Sequence, residues 1–466
     1  MTGKYRPESA TLELMQASAL LRPPGPPPRR GGVLGNLGYY WSFATDPIGF
    51  VAQRFERYGD IYFAPGPDGG LYVVKHPDHI ADVLLSRGGD YRKTHTAFDR
   101  LSQVLGDGLV TTDGDLWKRH RRMIQPAFHK RELARYGEIA AGEAARTGSQ
   151  WTIGRVYDMS REMMQLTLRI VCRSLFSHDV TSDTDAVATS MSAFQDSLIR
   201  PDILPGWVPS PARRRMRRAV DNLDQIMFSM IGERRNTAGA APHDLLQMLL
   251  SAVDEEGVGD KLTEREVRDH LVTLFLAGHE TTANALSWAW YLLSQNPNVE
   301  ANLHDELDSV LGGRDPTFGD LSKLEITEQV IKEAMRLYPP VYMVARRAHA
   351  DTQIGDYAVP AGSEIAVWIY MTHRDSRWYP EPEVFRPERF APAAEAALPK
   401  MAYLPFGAGP RACIGKQFAL IEAQLVLATL AQMFRFEAVN AEKVEPKPRI
   451  TLIAKNGMRM RARAWS

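Results

Sequence analysis

Apolar positions along this chain change period three times, and each change marks a new kind of element. Asp46 stands before an amphipathic stretch and reads as the N-cap of a helix running through Arg57. Ile61-Tyr62-Phe63 and Leu71-Tyr72-Val73-Val74 are short apolar runs separated by Pro65-Gly66-Pro67-Asp68-Gly69-Gly70, which predicts a β-hairpin. From about residue 115 to 340 the spacing is mostly helical, including an unusually long helix from Glu264 to Gln295. Past Pro340 the pattern turns to short strands, with Gly355-Asp356 and Pro360-Ala361-Gly362 as turn signals. A last helix is expected from about Ile414 to Phe434, followed by a strand-rich tail. The fold class predicted is mainly α with a small β region.

Composition narrows the picture. Basic and acidic residues number 56 each, and a zero formal charge argues against nucleic acid as a partner. Two cysteines, Cys172 and Cys413, rule out a disulfide framework and suit a reducing compartment. Cys172 lies in an apolar stretch and reads as core. Residues 1–30 end in Leu21-Arg22-Pro23-Pro24-Gly25-Pro26-Pro27-Pro28, an extended Pro-rich lead-in, and 31–466 read as one domain. Gly32 to Gly38 is a plain turn, since no strand precedes it as a nucleotide loop requires. No apolar run reaches membrane-spanning length, so a soluble, cytoplasmic protein without a transmembrane anchor is expected.

The chemistry gathers at Phe406-Gly407-Ala408-Gly409-Pro410-Arg411-Ala412-Cys413-Ile414-Gly415. A cysteine in a glycine-rich loop that opens a helix receives N–H donors and the positive end of the helix dipole, and both favour the thiolate. The glycines leave room for a flat ligand, and Arg411 suits an acidic edge on it. Ala277-Gly278-His279-Glu280-Thr281-Thr282 breaks into the apolar run of the long helix, a conflict of propensity that often marks function. A threonine there can bend the helix by bonding back to the carbonyl four residues earlier, opening a groove. His279 reads as an ordinary histidine. Glu333 and Arg336 share one face of a helix that Pro339-Pro340 ends, and Pro387-Glu388-Arg389-Phe390 follows.

Taken together these elements resemble the cytochrome P-450 family, in its soluble bacterial style. Its Phe-x-x-Gly-x-Arg-x-Cys-x-Gly loop is filled at every fixed position, and its Glu-x-x-Arg, Pro-Glu-Arg-Phe and Trp-x-x-x-Arg elements occur in order. The resemblance implies a triangular prism with the long central helix over a haem b, whose iron takes the Cys413 thiolate. Phe406, Gly407, Arg411, Gly415 and Ala277 belong to the haem site. Trp117, Arg121 and Arg346 bind its propionates, with Arg347 as the alternative to Arg346. Glu280 and Thr281 are the acid–alcohol pair, and Glu333, Arg336 and Arg389 form a buried structural network behind the haem.

The implied activity is a monooxygenase that inserts one oxygen atom of O2 into a lipophilic molecule. A rearranging isomerase or dehydratase and a non-enzymatic haem sensor are the alternatives. The chain has no flavin or nicotinamide loop, so electrons from NAD(P)H come through a ferredoxin or flavodoxin with its reductase. Lys118, Arg119, Arg122, Lys130, Arg131 and Lys416 suit an acidic partner by steering, or are a solvated surface. By resemblance Phe98, Leu101, Leu105, Phe194, Val341, Val344 and Leu452 line an apolar substrate pocket, which a terpenoid of sesquiterpene size or a fatty acid fits best. Arg213 to Arg218 is a basic run that reads as a solvated helix start. A monomer is expected.

Overall fold

A computed structural model of the chain describes residues 21–27, 37–66, 69–93, 96–179, 190, 210–236, 243–252, 261–439 and 444–465. Its body is helical, and its axis is the helix Glu264–Gln295, about 48 Å long at 1.5 Å per residue. Thr263 caps this helix and Glu266 reaches back to the cap, a reciprocal capping box. From Val267 to Leu293 nearly every side chain is buried, because helices Met159–Phe176, Glu325–Leu337 and Lys416–Ala431 pack around it. A helix apolar on all sides belongs in the middle of a core. Several of its buried polar groups are paired: Arg268 meets Asp224 and Asp269, and Asp269 accepts from the Asp107 N–H at 2.8 Å. The helix runs unbroken through Ala277 to Thr282, and the Thr281 hydroxyl bonds back to the Ala277 carbonyl at 2.7 Å.

The β region holds a five-stranded sheet, ordered Ile61–Ala64, Leu71–Val74, Glu364–Val367, Val344–Ala348, Tyr91–Arg92. The first two strands form the expected hairpin. The sheet is covered on both faces: Ile61, Phe63 and Val74 face one apolar cluster, Tyr62, Ala64 and Val73 the other. That explains why these strands read as continuous apolar runs rather than as an alternation. The proline-rich segment 21–27 is not a free lead-in. Leu21 bridges to Tyr357, and the Pro24 carbonyl accepts from Phe63 N at 2.9 Å.

Helix Glu325–Leu337 carries the pair that ties the β region to the cysteine loop. Glu333 and Arg336 are both fully buried and meet through two parallel bonds, 2.7 and 2.8 Å. The guanidinium also donates to the carbonyls of His373, Pro382 and Val384, so its donors are filled. Glu333 further accepts from the Arg386 N–H at 2.9 Å. Arg389 joins more loosely, 3.5 Å from Glu333, and donates to the Glu381 carbonyl. The link continues forward. His373 accepts from the Leu404 N–H at 3.0 Å, and the Leu404 carbonyl accepts from Gly407 N at 3.0 Å. Burial, with Arg336 and Arg374 nearby, holds the His373 pKa down at about 3, so its ring stays neutral and able to accept.

Two outcomes follow. Glu333→Ala or Arg336→Ala strands a buried charge at a cost of about 3–5 kcal/mol. Each variant is expected to give little soluble protein, whereas normal yield and melting temperature in both would mark the pair as dispensable. For Glu266, burial raises the pKa, but bonds from Thr263, His120 and Arg119 outweigh it and bring it down to about 2. Its stabilisation is therefore complete above its ordinary value of 4.5 and lost as the pH falls through about 2. The stability gap between the protein and Glu266→Gln, measured by urea unfolding, should narrow steadily over that range.

Candidate active site

Cys413 sits at the end of a loop wound tightly on itself. Its N–H donates to the Phe406 carbonyl at 2.9 Å, and Ala412 N to Gly409 at 3.0 Å. Gly407 and Gly409 take φ of +67° and +71°, the left-handed region that side chains avoid. A Cβ on Gly409 would lie 2.0 Å from the Leu84 carbonyl oxygen, so only glycine fits there. Helix Lys416–Ala431 follows, with Gly415 at its cap. Cys413 opens onto a cavity of about 880 Å³. Burial pushes its thiol up, against the opposing pull of the Gly415 N–H, Arg121, Lys93 and Lys416. An iron bound to the sulfur from the cavity side would add a positive charge that opposes that dehydration.

The cavity walls are mostly apolar, with Leu101 and Val110 on one side, Leu274, Ala277 and Ala285 from the central helix, and Val341, Val344 and Ile450 opposite. At one edge stand Lys93, Arg346 and Arg411. Burial first, then the charges of Arg346 and Arg411, lowers Lys93 to about 7. Burial and Arg411 lower Arg346 to about 10. Asp113 partly offsets this crowd. It is ion-paired with Arg411 and takes the Lys93 N–H at 2.7 Å. Three cations on one carboxylate leave the edge positive, suited to further anionic groups. A soft sulfur, cations for carboxylates and apolar walls for a ring together fit the haem that the resemblance implies.

Of the expected haem-site residues, Ala277, Arg346, Phe406, Gly407, Arg411, Cys413 and Gly415 line this cavity. The strand alternation separates the two arginines: Arg346 enters the cavity, while Arg347 pairs with Glu364 at 3.5 Å. Trp117 and Arg121 are not on the wall. Trp117 lies under the Arg411 guanidinium, 3.9 Å from ring centre to carbon, and Arg121 donates to the Ala412 carbonyl at 3.0 Å. Both therefore brace the loop from behind. Thr281 is on the wall, but Glu280 is turned away and buried. His279 is a core histidine. Its Nδ1 meets the Phe275 carbonyl at 2.7 Å, and burial lowers its pKa to about 4.

The substrate-pocket expectations divide. Leu101, Val341 and Val344 reach the cavity, whereas Leu105 and Leu452 are packed into the main core, because their helix and strand turn them inward. The side chain of Phe98 and all of Phe194 lie outside the described residues. Missed from the sequence were Lys93, Asp113, Phe43, Ala285 and Met335, each on the cavity or holding a residue that is. Asp113 had a signal, as the N-cap before Gly114. Lys93 had none. Among the basic residues, Arg119 is drawn off to Glu266 at 2.9 Å, while Lys118, Arg122, Lys130, Arg131 and Lys416 stay exposed. Among the described residues no helix is long and apolar enough to cross a membrane.

Comparison with known proteins agrees with this geometry. The family model described as cytochrome P450 matches residues 23–459. The chain is 35% identical to cyclooctatin synthase of Streptomyces melanosporofaciens over 91% of its own length and 93% of that protein's. It is 37% identical to cyclooctat-9-en-7-ol 5-monooxygenase of the same organism, covering 86% and 88%. With pentalenene oxygenase of Streptomyces avermitilis the identity is 32%, covering 93% and 96%. A cysteine sulfur open to an apolar, cation-edged cavity and a family match across nearly the whole chain lead to one identification: this chain belongs to the cytochrome P450 family of haem-thiolate monooxygenases.

Proposed function

We propose that this monooxygenase hydroxylates a terpenoid, with Cys413 as the axial ligand and Glu280 and Thr281 as its proton-handling pair. The observation that carries the reading is the cavity itself, which joins Cys413 to Thr281 through walls that are almost wholly apolar. Such a wall holds a hydrocarbon skeleton by burial, at about 25 cal/mol per Å² of apolar surface, and offers few polar anchors. The similar proteins whose names are terpenoid oxygenases support the same class.

Lys93, Arg346 and Arg411 would take the haem propionates, with Trp117 and Arg121 bracing the loop that carries Cys413. When bound, the thiolate-ligated haem supplies activation of O2 and insertion of one of its oxygen atoms. The Thr281 hydroxyl, its proton committed to the Ala277 carbonyl, presents its oxygen to the cavity as an acceptor. A small rotation turns that acceptor into a donor, which is what a proton-handling alcohol requires. Electrons come from NAD(P)H through a separate protein. We assign that role to a ferredoxin or flavodoxin, steered by the exposed Lys118, Arg122, Lys130, Arg131 and Lys416.

A fatty acid is the second reading, favoured by Arg449 on the cavity wall. Titration with sesquiterpene and fatty-acid libraries, followed by the low-to-high-spin shift, separates them. Terpenes should shift the spectrum in both the protein and Arg449→Leu. Fatty acids that bind tightly, and weaken in Arg449→Leu, would replace the terpenoid reading.

Cys413→Ser should lose the long-wavelength Soret band of the reduced carbonyl complex while keeping most of the fold by circular dichroism. An unchanged band removes Cys413 as ligand. Thr281→Ala should keep the ligand-induced spectral shift but lower product formed per NADPH several-fold, with the balance appearing as peroxide. Unchanged coupling would make Thr281 an ordinary helix residue.

A further inference from the structure

Leu101 and Val110 stand on one side of the cavity, and the segment between them rests on the central helix. Two adjacent residues of that helix hold its backbone. Arg268 Nη1 donates to the Val104 carbonyl at 2.9 Å, and Asp269 accepts the Asp107 N–H at 2.8 Å. The contact is close. Gly106 takes φ of +59°, and a Cβ there would fall 2.1 Å from the Asp269 carboxylate. Val104, Leu105 and Leu109 are buried alongside. Apolar packing keeps the segment down, and the directed polar contacts fix where along the helix it sits.

Arg268 is fully buried and divides its guanidinium between two elements. Nη1 serves Val104 and also Asp269, the latter at 2.9 Å. Nε donates to Asp224 at 2.5 Å, and Nη2 pairs with the same carboxylate. Asp269 has a further cation in Arg265, at 3.3 Å. Asp224 belongs to helix Pro211–Asn236, whose last turn is tied separately, Arg234 to Asp244 and Arg235 to Glu264. Its side chain is 24% exposed, against 0% for Arg268 and 3% for Asp269. A guanidinium is a rigid planar fork. Where Asp224 holds one edge of it therefore sets where Nη1 meets Val104 on the other.

We propose that Arg268 is a specificity-positioning residue that couples helix Pro211–Asn236, through Asp224, to the cavity wall around Leu101 and Val110. None of the three charged residues lies on that wall. They act by setting how closely Leu101 and Val110 approach a ligand. The inference rests on this cavity being the substrate site, whichever lipophilic class fills it.

The test compares Asp224→Ala, which strands two of the guanidinium nitrogens, with Asp224→Asn, which keeps an acceptor oxygen in place. Both leave Asp269 to balance the buried charge, so both should fold by circular dichroism. Hydrogen exchange read by mass spectrometry should show the amides of residues 101–112 exchanging several-fold faster in Asp224→Ala, although Asp224 bonds to none of them. Asp224→Asn should stay close to wild type. In the haem-loaded protein, two azoles separate the wall from the iron. Clotrimazole, bulky enough to meet the wall, should bind several-fold more weakly to Asp224→Ala, whereas imidazole should bind equally to both, each followed by the haem spectral shift. Faster exchange confined to residues 211–236 overturns the coupling. So does faster exchange throughout the chain with a lower melting temperature, which marks a purely structural pair, and so does an equal loss of both azoles. If neither azole shifts the wild-type spectrum, the haem reading of the cavity fails, and the exchange result still decides the coupling.

Discussion

The buried Glu333–Arg336 pair is the constraint on which the site depends. Two charges taken fully out of water are tolerable only when every donor and lone pair finds a partner. Here that demand is met by carbonyls of the segments around His373 and residues 382–384, and by the Arg386 N–H. Those segments have no regular ladder of their own to fix them. The pair's need for partners fixes them instead, and His373 passes the placement on to Leu404 and the cysteine loop. Stability and catalysis thus share one network, since the loop cannot shift without leaving a buried charge unsatisfied.

Around the cavity the electrostatics are arranged by similar means but toward a different end. Lys93, Arg346 and Arg411 are crowded together, and Asp113 partly balances them. Burial first, and then that crowding, lowers the pKa values of Lys93 and Arg346, and anions beside them would oppose both effects. The Cys413 thiol lies on the same wall and is raised by the same dehydration. Cations short of anions and a thiol short of a cation are complementary deficits. Haem, with its carboxylates and its iron, answers both at once.

The central helix shows how a core element carries function without losing its fold. Several of its buried polar residues are matched by a neighbour: Arg268 by Asp224, Asn284 by Thr451, Ser287 by the Ala283 carbonyl. Thr281 and Thr282 reach the cavity. The Thr281 hydroxyl is satisfied within its own helix, by the Ala277 carbonyl.

What the sequence determined by itself was what local chemistry encodes. The bounds Glu264 to Gln295 follow from a long helical period of apolar positions, and the hairpin from two apolar runs around glycine and proline. The loop around Cys413 was legible because glycines at left-handed positions and a cysteine before a helix have few other uses. The tertiary structure decided what depends on direction and distance. It separated Arg346 from Arg347 through strand alternation, and it set Trp117 and Arg121 behind the loop rather than on the cavity. It turned Leu105 and Leu452 into the core and brought Lys93 and Asp113 to the cation edge. It also joined Thr451 to Glu280 across 171 residues of chain. Side-chain direction is fixed by packing against elements far away in sequence, and no local pattern carries that information.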